Sequence, residues 1–445
     1  MTTSHGIEPA RQASTSEKLT NEHKRVLGGA LVGTTIEWFD FFIYAQAAGL
    51  IFATQFFNPV ADSSPGLAQI IAWASLGISF LFRPFGAILA GHLGDRIGRK
   101  PVLVLTLVGM GLATFLMGLL PNYEAWGIAA PILLVVLRIV QGMSAGGEWG
   151  GAALIAVEHA PVLRRGYFGA FPQLGVPLGM MLATIMMLTL TAAMTPEQFE
   201  TWGWRIPFLS SLALILVGFF IRRSVEESPV FTEMEQLRER SSAPLKDLFA
   251  GYSKLVAQCA LIFAGNNAAG YLLIAFFVSY GSQTLGFARP VVLGIMLLGS
   301  GAWFISTLVS GHISDVIGRR AVFFWGYVAL ILWSLPQWVL VDSGEIFLFA
   351  LATIVLGILL GVTYGPQSAL YAEMFPASVR LSGLNISYAL GSIIGGAFAP
   401  MISQMILEQT GNAIYIGVYI AVLCVCSMLA VVAVPKGIQG RALGE

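Results

Sequence analysis

Gly91-His-Leu-Gly-Asp95-Arg-Ile-Gly98-Arg99-Lys100 returns later in the chain as Gly311-His-Ile-Ser-Asp315-Val-Ile-Gly318-Arg319-Arg320. Each copy stands between two long apolar runs. A second mark repeats in step with it. Glu158, Pro161 and Arg165 in the first half answer Glu373, Pro376 and Arg380 in the second at the same spacing. Two separate signatures recurring at a near-constant offset are hard to obtain by chance, so the chain is a duplicated unit.

Outward from these marks the composition is that of a chain dissolved mainly in lipid. Of 445 residues, 56% are hydrophobic and 11% are Asp, Glu, Lys or Arg, against roughly a quarter charged in soluble proteins. A soluble globular enzyme, a disordered chain and a collagen-like fibre are all excluded. Twenty-four basic residues balance twenty-four acidic ones, so no net field calls for nucleic acid. Cys259, Cys424 and Cys426 lie in apolar runs with no disulfide or metal spacing, and no cofactor motif appears. The polar first 25 residues hold no short apolar core, so no removable signal peptide is expected.

A helix needs about 20 mostly apolar residues to cross the hydrocarbon core. Twelve such runs are predicted, at 26–53, 67–93, 101–120, 128–157, 166–193, 205–222, 252–285, 289–313, 321–341, 345–373, 379–408 and 412–435. Runs 252–285 and 379–408 are long enough to be tilted or broken. With the N-terminus in the cytoplasm, twenty of the twenty-four Lys and Arg residues fall on that side. Arg205 and Arg289 fall outside, and Arg83 and Arg138 lie within spans. The bias places both termini in the cytoplasm of a multi-pass cell (inner) membrane protein. The expected organisation is a tail at 1–25, a six-helix bundle at 26–222, a charged solvated linker at 223–251, a second bundle at 252–435 and a tail at 436–445. Parallel repeats of this kind place a solute site near the bilayer midplane between the halves and permit alternating access.

The repeated signature reads as a latch in the loops after spans 2 and 8. Its glycines (Gly91, Gly98, Gly311, Gly318) allow close approach and sharp turns. Asp95 and Asp315 can accept hydrogen bonds from a neighbouring helix N-terminus, while Arg96, Arg99 and Arg319 meet anionic headgroups.

Here the chain resembles the major facilitator superfamily. Gly91 to Lys100 matches its loop signature, and Arg138-Ile-Val-Gln141-Gly142 matches a further superfamily motif. Glu37-Trp-Phe-Asp40-Phe, Phe82-Arg83-Pro84-Phe-Gly86, Gly146-Gly147-Glu148-Trp149-Gly150-Gly151 and Trp202-Gly-Trp204-Arg205-Ile-Pro207-Phe208 are similar to its metabolite:proton symporter branch. That branch includes shikimate, α-ketoglutarate, citrate and proline/betaine permeases. The resemblance implies an all-α fold of twelve helices in two pseudo-symmetric six-helix bundles. It also implies cation-coupled uptake of a small organic acid or a zwitterion, and an Asp95 latch that meets the start of span 11 near Arg380.

Five ionisable residues lie well inside spans, each costing on the order of 2.5–3.5 kcal/mol to insert. At about 1.5 Å per residue, Glu37, Glu148 and Arg83 share a layer about 12–16 Å from the signature side, with Arg138 at about 30 Å towards the other face. Glu37 and Asp40 project from one helix face, and crowded carboxylates in low dielectric favour protonating one. Asp40 or Glu37 is the expected proton carrier, with Glu148 second. Arg83 or Arg138 is expected to hold an anionic solute, since guanidinium keeps its charge. The bland alternative is structural ion pairing among spans 1, 2 and 4. Glycines 142, 146, 147 and 151 read as helix-packing residues.

If the resemblance holds, spans 7 and 10 face the solute. Asn266, Asn267 and Tyr271 with Tyr364 and Gln367 would then form an uncharged hydrogen-bonding wall, and Gln173 and Gln141 are further polar candidates. No nucleophile elbow, His-Glu-x-x-His or phosphate loop supports the rival class, an intramembrane enzyme, or direct use of ATP. The expected function is proton-coupled uptake of a small organic acid by a monomer in the bilayer, with a proline- or betaine-like zwitterion as the alternative solute.

Overall fold

The computed structural model describes residues 20–60, 64–97, 99–146, 148–224, 244–439 and 443, with only the backbone described for 90–97, 99–103, 214, 218–224, 244–247 and 378. The expected N-terminal tail and central linker therefore lie largely outside the described residues. Pro244–Gly251 is a helix leading into the second half.

In lipid every backbone polar group must find a partner within the chain, so the apolar runs become helices. Span 1 is Asn21–Ala47, continued by a wider π-helical segment Ala48–Phe57. Spans 2 and 3 are Pro65–Ile97 and Arg99–Leu119. Span 4 is split into Ala129–Ser144 and Glu148–Glu158, and spans 5 and 6 are Arg165–Ala193 and Arg205–Ser224. In the second half, span 7 runs from Ser253 to Tyr271 and on through π-helical turns to Thr284. Span 8 is Arg289–Ile317. Span 9 is Arg319–Trp333 and Pro336–Val341, and span 10 is Ile346–Tyr364 and Gln367–Met374. Span 11 is Arg380–Gly391, Ser392–Ala397 and Ala399–Thr410, and span 12 is Ile414–Val432.

Among the described residues nine helices are long and apolar enough to cross a bilayer, with Val104–Leu119 and Arg205–Val217 as shorter apolar ones. The twelfth run, span 9, is divided before Pro336, which has no N–H to give and crowds the preceding turn. Spans 7 and 11, expected to be tilted or broken, are interrupted by π-helical turns.

One expectation about the signature is corrected. It is not a loop: helix continues through Ile97 in the first copy and Ile317 in the second. In the second copy the chain reverses at Gly318, whose φ of 98° suits a residue without Cβ.

The halves meet along two equivalent seams. Span 5 packs along span 8, and span 2 packs along span 11. These seams exchange under the duplication, so one repeat rule generates both. Within the first half, spans 2 and 4 touch through glycine. A methyl on Gly142 would strike the Ser79 carbonyl, and one on Gly146 the Arg83 carbonyl. The packing role read from the sequence for these two glycines is therefore seen directly.

Candidate functional site

Span 1 is buried on all sides from Thr34 to Ala47, so its two carboxylates lie inside the bundle. They do not face one another as a crowded pair. Glu37 turns to span 2, where its Oε1 lies 3.8 Å from Arg83 Nη2. Asp40 turns to spans 6 and 3, accepting from the Ser211 hydroxyl at 2.7 Å with Thr114 beside it. Three residues on a helix differ by about 60° in direction, enough to give each acid its own neighbours. Among the described residues Asp40 has a hydroxyl partner and no ion pair.

Arg138 is fully buried. It donates to the Leu76 carbonyl at 2.9 Å, to Ser79 Oγ at 2.8 Å and to Gln141 Oε1. Its guanidinium lies 3.8 Å from the Tyr44 ring centre and 5.0 Å from that of Phe41. Arg83 lies 5.6 Å from the same Phe41 ring. The expected wide depth gap between Arg83 and Arg138 is thus wrong. Counting rise along span 4 ignored its break after Ser144, and both side chains reach along the bundle to a shared ring. Gln141 donates to Thr114 Oγ1 at 2.8 Å, so a hydrogen-bonded chain joins Thr114, Gln141 and Arg138 and ends beside Asp40. A small cavity lies beside it, bounded by Glu37, Ser79, Arg83 and Gln141.

Glu148 opens the second piece of span 4, next to Trp149. The Trp149 ring stacks on Tyr388 of span 11 at 4.0 Å, and its indole N–H donates to Gln173 Oε1 at 2.8 Å. Gln173 in turn donates to the Tyr364 carbonyl at 3.2 Å and to Gln367 Oε1 at 3.1 Å. Gln173 and Gln367 therefore join span 5 to span 10, closing the wall between the halves.

Above this closure lies a small chamber. Asn266, Asn267, Tyr271 and Tyr364, all read from the sequence, line it. So do Trp38, Phe263, Trp303 and Tyr388, which the sequence reading missed. A signal for two of them existed: Trp favours the membrane interface, so tryptophans at mid-span, such as Trp38 and Trp303, are out of place unless they face a cavity. No acidic or basic residue lines the chamber. Arg83 stands behind its wall, 5.1 Å over the Trp38 ring.

At the signature end the second copy acts across the halves. Asp315 accepts from the Gly166 and Tyr167 N–H groups at the start of span 5, both at 2.8 Å. The carboxylate caps a helix N-terminus, where unpaired N–H groups favour an anion. Arg319 is buried between Asp315 at 2.7 Å and Glu373 at 3.5 Å. It does not reach headgroups as expected, because two inward carboxylates hold it. The second repeated mark pairs crosswise. Arg165 meets Glu373 at 3.7 Å and Arg380 meets Glu158 at 3.9 Å, so each half's arginine takes the other half's acid. Gly311 brings spans 5 and 8 together, since a methyl there would lie 2.7 Å from Ala170 Cβ. In the first copy Gly98 lies outside the described residues, as do the side chains of Asp95, Arg96 and Arg99 and the surroundings of Gly91.

Residues 27–444 match the family described as sugar (and other) transporter. The chain is 37% identical to the inner membrane metabolite transport protein YhjE of Escherichia coli, over 92% of this chain and 93% of that one. It is 34% identical to the E. coli shikimate transporter, over 91% and 93%. Among solved structures, the proton:xylose symporter XylE of the major facilitator superfamily superposes with a TM-score of 0.77 at 16% identity, covering 96% of this chain and 99% of that one.

Proposed function

The chain belongs to the sugar (and other) transporter family, and on that premise we propose that this membrane transporter of small metabolites is a proton-coupled importer of a small organic acid. It has the major facilitator fold and is not an enzyme. The observation that carries the coupling is Asp40. It is a carboxylate buried at mid-bundle, held by the Ser211 hydroxyl and, among the described residues, by no cation. Protonating it breaks no ion pair, whereas protonating Glu37 gives up Arg83. Asp40 is therefore the proton carrier in this reading, and Glu37 and Glu148 are secondary.

The Thr114–Gln141 link runs from beside Asp40 to Arg138. Arg83 and Arg138 supply the positive background against which an anion crosses. The latch of Asp315, Arg319 and the crossed Glu–Arg pairs holds the signature end shut. By the positive-inside bias that end is cytoplasmic, with both termini. Two six-helix bundles, 26–222 and 252–435, rock about the chamber in a monomer of the cell membrane.

The test is uptake into proteoliposomes. An imposed inward proton gradient drives accumulation of radiolabelled shikimate or benzoate, and a protonophore abolishes it. Asp40→Asn keeps solute exchange and loses accumulation. Uptake that ignores the gradient in both directions sinks the reading.

A further inference from the structure

The sequence points to arginine as the anchor of an anionic solute, but neither arginine borders the chamber. What the chamber does contain is a surplus of unused donors. Among the described residues Trp38 Nε1, Trp303 Nε1 and Tyr271 OH have no hydrogen-bond partner, although these residues are only 3%, 3% and 2% exposed. An unpaired buried donor costs about 1–3 kcal/mol, and three around one cavity is a cost that an incoming ligand can remove. Trp73, Trp204 and Trp338 also keep unpaired indole N–H groups, but they border neither this chamber nor the smaller cavity.

Several of the chamber's other donors are already engaged. Asn266 Nδ2 donates to the Leu360 carbonyl at 2.9 Å and to Thr363. Asn267 Nδ2 donates to Ser392 Oγ at 3.2 Å, and the hydroxyls of Tyr364 and Tyr388 lie 3.3 Å apart. The Asn266 amide N–H groups are thus used within the protein, as is one of the two on Asn267. An indole N–H only donates, so the ligand has to bring lone pairs. With no formal charge on the walls, those lone pairs meet N–H and O–H groups rather than a counter-ion. Aromatic rings on the remaining sides suit a flat or ring-shaped body.

We infer that Trp38, Trp303 and Tyr271 are the specificity-determining donors, and that they hold the carboxylate and hydroxyl oxygens of a compact single-ring monocarboxylate. Arg83 acts from behind the Trp38 ring without touching the solute. This inference rests on reading the chamber as the solute site.

The experiment is calorimetric titration of the purified full chain with sodium benzoate, shikimate, benzyl alcohol and tetramethylammonium chloride. At least one carboxylate binds, and benzyl alcohol and tetramethylammonium bind far more weakly or not at all. Trp38→Phe, Trp303→Phe and Tyr271→Phe keep a ring and remove a donor; each weakens the carboxylate about ten- to a hundredfold. Trp303→His retains a ring N–H and recovers most of the loss, which separates lost hydrogen bonding from lost folding. Unchanged carboxylate affinity in the three Phe variants overturns the inference. So does binding of tetramethylammonium in preference to both carboxylates, or binding of neither carboxylate. Proton coupling is read separately by gradient-driven uptake. Donor-dependent binding with no response to the gradient removes the coupling and leaves this inference standing. Gradient-driven uptake of glycine betaine with indifferent Phe variants does the reverse.

Discussion

The two halves share their latch and differ in their interior. Around Glu158/Arg165 and Glu373/Arg380 they mirror each other and exchange partners, acid to arginine, across the seam. At mid-depth the likeness ends. The first half buries Glu37, Asp40, Arg83 and Arg138, while the second presents Asn266, Asn267, Tyr271 and Tyr364 around the same chamber. A moving device built from two rocking bundles needs matched contacts where the bundles meet. It needs no matched chemistry in the middle. At this depth ionisable side chains are concentrated on one side and uncharged hydrogen-bonding groups on the other, so the two can be altered separately.

That division is most exposed at Asp40. With one proton per solute, a gradient of one pH unit is worth 1.36 kcal/mol, or about tenfold accumulation. Asp40→Asn is expected to bring the internal-to-external ratio to unity while exchange across equal concentrations persists. Should the variant still concentrate solute as the gradient grows, the first half does not own the coupling.

Next in size is the buried pair. Arg83→Ala takes the guanidinium away from the buried Glu37 carboxylate and is expected to cost about 3–5 kcal/mol of stability, read by thermal unfolding in detergent. The double variant Glu37→Gln/Arg83→Met removes both charges and is expected to be closer to the parent. If the double variant is no better than the single one, the pair is not what the first half depends on there.

The shared latch is expected to show a smaller effect. Asp315→Asn keeps the size of the side chain but donates where two N–H groups need acceptors. A loss of about 1.5–3 kcal/mol from the closed form would appear as faster labelling of a cysteine placed at the signature end of span 5. Labelling at the parent rate would show that Asp315 does not hold that end.

The smallest expectation lies at the opposite end, where Arg289 of the second half meets Glu200 of the first at 2.9 Å with both side chains partly exposed. Arg289→Ala is expected to change stability by about 0–1 kcal/mol. A larger loss would mean that this end, too, is latched.

Much of the fold was legible because lipid leaves few choices. Runs such as 346–364, with their unbroken apolar character, have to be helical wherever they pack, and the paired signatures announce the duplication before any contact is known. Glycines 142 and 146 could be assigned to packing for the same reason, since their spacing is that of a helix face. The charged interior was legible in kind, because Glu37 or Arg83 in such a run is conspicuous. Its pairing was not. Glu37 and Asp40 share a helix face by spacing alone, yet span 2 takes one and spans 3 and 6 take the other. Trp38 and Trp303, far apart in the chain, border one chamber only because the halves close upon each other. Asn266 and Asn267 look available until their neighbours are seen to use them. Composition and periodicity decide what each segment is, since those depend on the solvent around one helix. Who meets whom depends on how separate helices cross, and that is settled only by packing over the whole molecule.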